Sequence, residues 1–191
     1  MPTTPTSAPT ARLLTRLGAA AGGLVLAVGL TAPASAESTS FTDGADASGS
    51  LNDILRVRVN HGAERAKVVV TFADLRKRSA GGPAGIAVFL DTKQGRKGPE
   101  LRLDSGLQNG TDYTLHRAKS WKPVGDPKTC AHDVDLKFGK DKLVLTTTRA
   151  CIGTPTRLRV GAKMTDFFDA SHPIHDWMKG ARRWTATVTS G

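Results

Sequence analysis

Hydrophobic and polar residues alternate along most of the chain that follows residue 53. A period of two is typical of half-buried β-strands, because successive side chains point to opposite faces of a sheet. Segment 68–72 carries an apolar Val69 on its other face, and segment 86–90 is apolar on both faces, so both are expected to be central strands. The predicted strands cover residues 55–59, 68–72, 86–90, 101–104, 113–116, 133–138, 143–148, 157–164 and 183–188.

Turn-forming sequences separate these segments about every ten residues. They are Asn60-His61-Gly62, Gly81-Gly82-Pro83, residues 95–99, Asn109-Gly110 and Gly125-Asp126-Pro127. No segment of a dozen residues carries a helical stripe, and 166–180, the longest stretch without alternation, suits a short helix or a structured loop. The pattern therefore predicts an all-β protein, a two-sheet antiparallel β-sandwich of about eight to ten strands, jelly-roll or immunoglobulin-like.

The first 36 residues have the pattern of a cleaved secretory signal peptide. Arg12 and Arg16 supply positive charge, residues 17–30 form an apolar run, and Ala34-Ser35-Ala36 offers small residues to a signal peptidase. The alternative is an uncleaved anchor, which fits less well because a membrane span needs about 20 apolar residues. The pattern predicts a secreted, extracellular protein.

Cleavage between Ala36 and Glu37 leaves 155 of the 191 residues and lowers the formal charge from +10 to +8, since the leader carries two arginines and no acidic residue. We expect an irregular lead-in at 37–52 and a single β-sandwich domain at 53–191. No later segment is apolar and long enough to span a bilayer, so no transmembrane span is expected after removal of the signal. We also expect a monomer.

The two cysteines of the chain predict a disulfide and a strand register. If residues 140–141 form a two-residue hairpin loop, Phe138 faces Leu143 and Cys130 faces Cys151. Opposed antiparallel positions have Cα atoms about 4.5–5.5 Å apart, which a disulfide can bridge, and an oxidising compartment favours its formation. The alternative, a redox-active pair, would need a Cys-x-x-Cys spacing, so the bridge is predicted to be structural.

Two groups of polar residues are candidate metal ligands. His172, His175 and Asp176 could hold a transition metal or supply a general base, although their His-x-x-His spacing and an intervening proline do not suit a helix; a surface loop is the alternative. Asp43, Asp46 and Asp53 flank a segment rich in Gly, Ala and Ser that could wrap calcium, while Asx turns explain them equally well. No cofactor is firmly indicated, and calcium is the one considered.

Catalytic signatures are otherwise sparse. The sequence has no Gly-x-Ser-x-Gly nucleophile elbow and no phosphate-binding glycine loop followed by Lys-Ser/Thr. It therefore favours a non-catalytic protein and leaves the question of catalysis open.

Cations and aromatic residues are mixed in segments 116–122 and 179–184. A secreted domain of this charge should accumulate on anionic surfaces such as a cell-wall polymer or acidic polysaccharide, and nothing indicates specific nucleic-acid readout; the alternative is a solubilising face. Trp184 follows the inward alternation and is predicted to be core, whereas Trp121 is predicted to be an exposed stacking ring. The candidate ligand-binding residues are Tyr113, Arg117, Lys119, Trp121, Lys122 and Trp177.

Short motifs spread over most of the exported chain resemble a group of uncharacterised secreted proteins of high-GC Gram-positive bacteria. The motifs are Asp53-Ile54-x-x-Val57-x-Val59, Phe72-Ala73-Asp74-Leu75, Phe89-Leu90-Asp91-Thr92, Gly98-Pro99-Glu100, Asp112-Tyr113, Cys151-Ile152-Gly153-x-Pro155 and Arg159-Val160. The Asp-Ile start and the strand ending in Asp-Thr are also distantly similar to family 9 carbohydrate-binding and DOMON-type domains. That similarity implies a β-sandwich, with aromatic stacking on sugar and calcium support in the first group; the Met and His haem ligands of the second map onto no matching motif.

The sequence thus favours a secreted, non-catalytic binding module for an extracellular or cell-wall polymer, with a glycan as the expected ligand. Stacking by Trp121 and Tyr113 would combine with charge pairing by Arg117, Lys119 and Lys122. The alternatives are a cell-surface structural or protein-interaction domain and, less favoured, a metal-dependent hydrolase using His172 and His175.

Overall fold

The computed structural model describes residues 37–47 and 49–191, so the predicted signal peptide, residues 1–36, lies outside the described residues. Twelve β-strands are present among the described residues, and no α-helix. They are β1 Glu37–Thr42, β2 Ile54–His61, β3 Arg65–Phe72, β4 Ala84–Asp91, β5 Leu101–Gly106, β6 Tyr113–Lys119, β7 Lys122–Val124, β8 His132–Lys137, β9 Lys142–Thr148, β10 Arg157–Asp166, β11 Ile174–Trp177 and β12 Val188–Thr189.

Two antiparallel sheets pack face to face, which confirms the predicted all-β sandwich. The first sheet has the order β1-β2-β3-β9-β8. The second has the order β11-β10-β4-β5-β6-β7, with β12 also paired to β10. The buried core lies between them and takes alternate residues from each strand, for example Val57, Val68 and Leu145 from the first sheet and Val88 and Val160 from the second.

The strands that alternation predicted at β3, β4, β5, β6 and β10 are confirmed. β4 is flanked on both sides by β10 and β5, and β3 by β2 and β9, which explains why both strands carry apolar residues on both faces. In β2, a register irregularity between Ile54 and Arg56 buries Ile54 completely and leaves Leu55 only half-buried, so Leu55 does not share the inner face of Val57 as its spacing suggested.

Three segments differ from the sequence-based expectation. Residues 37–42, expected to be irregular, pair with β2 as β1. Segment 166–180 contains β11, which pairs with β10. Of the strand expected at 183–188 only the end is regular, as β12, because the stretch before it leaves the core and crosses the outer face of the second sheet.

The disulfide between Cys130 and Cys151 is present, with a Cα–Cα distance of 5.3 Å. The predicted hairpin register is wrong by two residues: Leu143 faces Leu136 instead of Phe138. The turn is longer than expected because Phe138–Lys140 form a 3₁₀ turn and Asp141 adopts a left-handed conformation with φ 54°. A shift of two residues keeps every side chain on its predicted face, and the cysteines bridge the hairpin beyond the end of its ladder.

Asp141 explains the longer turn. Its carbonyl accepts a hydrogen bond from the Phe72 N–H at 2.8 Å, and its Oδ1 accepts one from the Leu75 N–H at 2.9 Å. Asp141 is the last residue of the observed four-residue loop, between Lys137 and Lys142, and these bonds hold it against the end of β3. The hairpin is therefore fixed by a contact distant in sequence.

The two described ends of the chain meet at one side of the sandwich. The Glu37 carboxylate accepts hydrogen bonds from the backbone N–H and the hydroxyl of Thr189, and the Gly191 N–H donates to the His61 carbonyl at 3.1 Å. Among the described residues, no helix has the length and apolar character needed to cross a membrane.

Candidate functional site

Four aromatic rings gather on the outer face of the second sheet and are here called the aromatic cluster: Phe89, Trp121, Trp177 and Trp184. Phe89 points away from the core because it alternates with Val88 and Leu90 in β4. Trp177 projects from β11 on the same face. Trp121 comes from the β6–β7 turn, and Trp184 from the irregular segment before β12.

The cluster is continuous. The Trp121 ring lies 4.8 Å from Phe89 in an edge-to-face arrangement and 4.6 Å from Trp184 in a stacked one, measured between centroids. Trp177 lies 5.6 Å from both Phe89 and Trp121. Phe89 is thereby only 2% exposed although it faces away from the core, while the three tryptophans remain half-buried. Trp121 is thus less exposed than the sequence indicated, and Trp184 lies outside the core in which it was predicted.

The turn that carries Trp121 has an unusual sequence for its shape. Lys119 pairs with Lys122, and the two residues between them, Ser120 and Trp121, have φ values of 50° and 69°. Two consecutive positive φ angles in a two-residue hairpin loop belong to the type I′ turn, which strongly prefers Asn and Gly. A bulky side chain in this conformation is an outlier that costs on the order of 1–3 kcal/mol. The packing of the Trp121 ring offsets this cost.

A cleft of about 780 Å³ lies beside the aromatic cluster. Its lining includes Ala87 and Phe89 from β4, Trp121 and Trp177, and Tyr113 from β6. A volume of this size is within the range of small-molecule binding sites, and a mostly apolar wall with a few polar groups is typical of them. The cleft is open to solvent.

Positive charge exceeds negative charge around the cleft. The charged residues that line it are Arg102, Asp104, Asp112, Lys122, Lys163 and Arg182. Arg102 is paired with Asp104 at 2.5 Å, whereas Lys122, Lys163 and Arg182 take part in none of the ion pairs found among the described residues. The cleft therefore presents unpaired cations.

Lys163 is one of the cleft cations that form no ion pair among the described residues. Its Nζ lies 5.8 Å from the centroid of the Trp177 ring. Burial, and then the charge of Arg102, lowers the pKa of Lys163. The pKa of His175, which also lines the cleft, is lowered as well, by burial and then by the charge of Lys163. An anion placed here would meet a partly desolvated ammonium group that takes part in no ion pair among the described residues, in a cleft that also contains Asp104 and Asp112.

Gly161 in β10 lets the tryptophans approach the sheet. A Cβ at this position would lie 3.1 Å from the Arg183 carbonyl oxygen, 3.4 Å from Trp121 and 3.5 Å from Trp184. We expect Gly161→Val to displace both indoles while the strand persists, since Val suits a β-strand. The measurement is intrinsic tryptophan fluorescence, whose emission maximum should shift to longer wavelength. Gly95→Val, at a glycine with no neighbouring atom within 4 Å, is the control, and equal spectra for the two variants would contradict the placement of the indoles.

The structure brings some of the predicted ligand-binding residues together and separates others. Tyr113, Trp121, Lys122 and Trp177 all line the cleft, whereas Arg117 and Lys119 lie outside it. The Tyr113 hydroxyl donates a hydrogen bond to Asp133 at 3.2 Å. Burial, and then this hydrogen bond, raises the pKa of Tyr113.

The residues proposed for a transition metal do not converge. His172 is exposed and contacts Asp169 at 3.1 Å in a loop. His175 and Asp176 are adjacent in β11 and therefore point to opposite faces, His175 toward Thr165 on the outer face and Asp176 into the buried side.

The residues proposed for calcium are partly assembled. The carboxylates of Asp46 and Asp53 lie within 4.8 Å of each other, and the third group of this cluster is Asp176 from β11. Asp43 instead accepts hydrogen bonds from the Gly44 N–H at 3.1 Å and the Lys179 N–H at 2.9 Å.

Phe89, Arg102 and Lys163 line the cleft but are not among the ligand-binding residues predicted from the sequence. The sequence feature that indicates Phe89 is a large aromatic residue at an outward-facing position of a strand that is apolar on both faces. Arg102 and Lys163 are outward-facing residues of β5 and β10. They differ from the other outward-facing cations by their position in the sheet, which the alternation of polar and apolar residues does not reveal.

Comparison with protein-family models, with curated proteins and with solved structures finds no match to this chain.

Proposed function

We propose that this protein is an exported, non-catalytic binding module that holds an acidic glycan, such as an anionic cell-wall or extracellular polysaccharide, in the cleft beside the aromatic cluster. The observation that carries the proposal is the position of Lys163. This lysine takes part in no ion pair among the described residues, lines the cleft, and has its Nζ 5.8 Å from the centroid of the Trp177 ring.

The aromatic rings supply the apolar half of the recognition. Trp121 and Trp177 each retain exposed surface in the cleft wall, and both are held in place by contact with Phe89. An ordered aromatic ring can cover the face of a sugar ring without much loss of side-chain entropy on binding. A type I′ turn that keeps a tryptophan where glycine would be favoured supports a role for the ring in binding.

The charges supply the second half. Lys122, Lys163 and Arg182 leave the cleft with more positive than negative groups, which favours uronate, sulfate or phosphate substituents over a neutral glycan. The formal charge of +8 on the expected mature chain would also increase the rate of encounter with a polyanion.

The test uses the chain's own fluorescence, since all three of its tryptophans belong to the aromatic cluster. Titration with polygalacturonate should change the emission, and titration with neutral dextran should not. Trp121→Gly, which removes the ring but suits the turn, should weaken binding by about tenfold or more. Lys163→Met should weaken it by about three- to tenfold and reduce its dependence on salt.

Lys119→Met is the matched control, because Lys119 is an exposed cation of the same hairpin that lies outside the cleft. Its affinity should equal that of the unaltered protein. Equal losses in Lys119→Met and Lys163→Met would show that only net charge matters. Absence of binding to any polysaccharide, together with capture of a specific envelope protein, would favour the alternative of a protein-interaction domain.

A further inference from the structure

We infer that Asp46, Asp53 and Asp176 form a calcium site that joins the loop between β1 and β2 to strand β11. This site is separate from the cleft and does not depend on the function proposed for it.

Three carboxylates from distant parts of the chain converge at this point. One carboxylate oxygen from each residue lies within 4.8 Å of the other two. Asp53 is 3% and Asp176 2% exposed, whereas Asp46 lies at the surface. Such an arrangement has a closed inner side and one open side through which an ion and its waters can enter.

The backbone fixes the two buried groups. Asp53 Oδ1 accepts a hydrogen bond from the Ala47 N–H at 3.1 Å, which closes the loop on itself. Asp176 Oδ2 accepts one from the Ile54 N–H at 2.6 Å, which ties β11 to the start of β2. These contacts orient the carboxylates before any ligand arrives.

The other carboxylate oxygen of Asp176, Oδ1, indicates that the cluster binds a ligand. Asp176 Oδ1 is buried and has no hydrogen-bond partner among the described residues. An unpartnered buried carboxylate oxygen is costly, and few such atoms occur in folded proteins without an ion or water to satisfy them. This oxygen belongs to the group that converges with Asp46 and Asp53.

Within the described part of the chain, no side-chain cation forms an ion pair with the cluster. None of the ion pairs among the described residues includes Asp46, Asp53 or Asp176. Burial, and then the charges of Asp53, Asp46 and Asp43, raises the pKa of Asp176 to about 7. A bound divalent cation would offset the repulsion that these groups otherwise share.

The donor atoms select the kind of cation. All three side chains offer carboxylate oxygen and none offers nitrogen or sulfur, which favours a hard cation over zinc or copper. Calcium accepts several carboxylates in irregular geometry, whereas magnesium retains most of its waters and takes about one or two carboxylates. Water at the open side would complete the coordination.

The test measures thermal unfolding of the protein with chelator and with added ion. At about 10 mM free Ca²⁺, above the ~10⁻⁴–10⁻³ M affinities of extracellular calcium modules, the Tm should rise by about 3–10 °C, and equal Mg²⁺ should raise it less. Asp176→Asn and Asp53→Asn keep an oxygen for the backbone N–H groups and should lose the calcium-dependent rise. In chelator the Tm of Asp176→Asn should equal or exceed that of the unaltered protein.

Asp135→Asn, at an exposed carboxylate of β8, is the matched control and should keep the full rise. A second readout needs no variant: Tb³⁺ in the site should show luminescence excited through Trp177, the neighbour of Asp176, and Ca²⁺ should quench it. No Tm rise in the unaltered protein, or an equal rise in Asp176→Asn, would overturn the inference. A rise with Mg²⁺ as large as with Ca²⁺ would overturn the choice of ion.

Discussion

Arg159→Met is expected to lower the free energy of unfolding by about 3–5 kcal/mol, because it leaves a buried carboxylate without its partner. Asp91, at the end of β4, is completely buried. Its Oδ2 accepts a hydrogen bond from Arg159 Nε at 2.7 Å and a second from the same guanidinium group. Denaturant unfolding with an unchanged m-value would measure the loss.

The effect should be asymmetric. Arg159 is 28% exposed on its side chain and lies over the Trp184 ring, so water can still reach the guanidinium in Asp91→Asn. We expect Asp91→Asn to cost less than Arg159→Met, and the double variant to cost less than Arg159→Met alone. Arg76→Met, which breaks an exposed pair with Asp74, should change stability little. Equal effects of Arg76→Met and Arg159→Met would show that Asp91 is solvated after the change.

Removing the disulfide with Cys130→Ala and Cys151→Ala together should lower the free energy of unfolding by about 3 kcal/mol in the chain-entropy model. The cysteines are 21 residues apart in sequence, and the bridge closes the hairpin of β8 and β9. β8 is an edge strand whose residues are all exposed or half-buried, so little core packing holds it. Denaturant unfolding gives the total loss, and hydrogen exchange should show faster exchange in β8 than in β3.

The unaltered protein under reducing conditions is the companion sample. It should match the double variant in stability, and the double variant should not respond to reductant. A loss below about 1 kcal/mol would mean that the hairpin stays largely closed in the unfolded chain.

Alternation predicted the strands whose two faces meet different surroundings, such as β10 with Leu158 and Val160 inward and Arg159 outward. It failed at Trp184, which lies in an irregular segment and covers the outside of a sheet rather than the core. The same alternation of polar and apolar residues occurs in a regular strand such as β10 and in a segment that lies over the outer face of the sheet. Only the position of β10 and the absent side chain of Gly161 distinguish them.

The two candidate sites show a second limit of sequence. Asp176 meets Ile54 across 122 positions of sequence, and Lys163 meets Trp177 because β10 and β11 pair. Residue type identified Asp46 and Asp53 as oxygen donors and Trp177 as a stacking ring. The sequence grouped Asp176 with His172 and His175, whereas the structure shows that Asp176 and His175 are neighbours in β11 and point to opposite faces.

The hydrogen bonds between Glu37 and Thr189 place the first described strand beside the last residues of the chain. A linker of a few residues from Gly191 to Glu37 would therefore close the domain into a ring without disturbing either sheet. New termini could then be opened at the exposed turn of Asn109 and Gly110. A circular permutant would therefore change the order in which the strands are synthesised while it keeps the same two sheets.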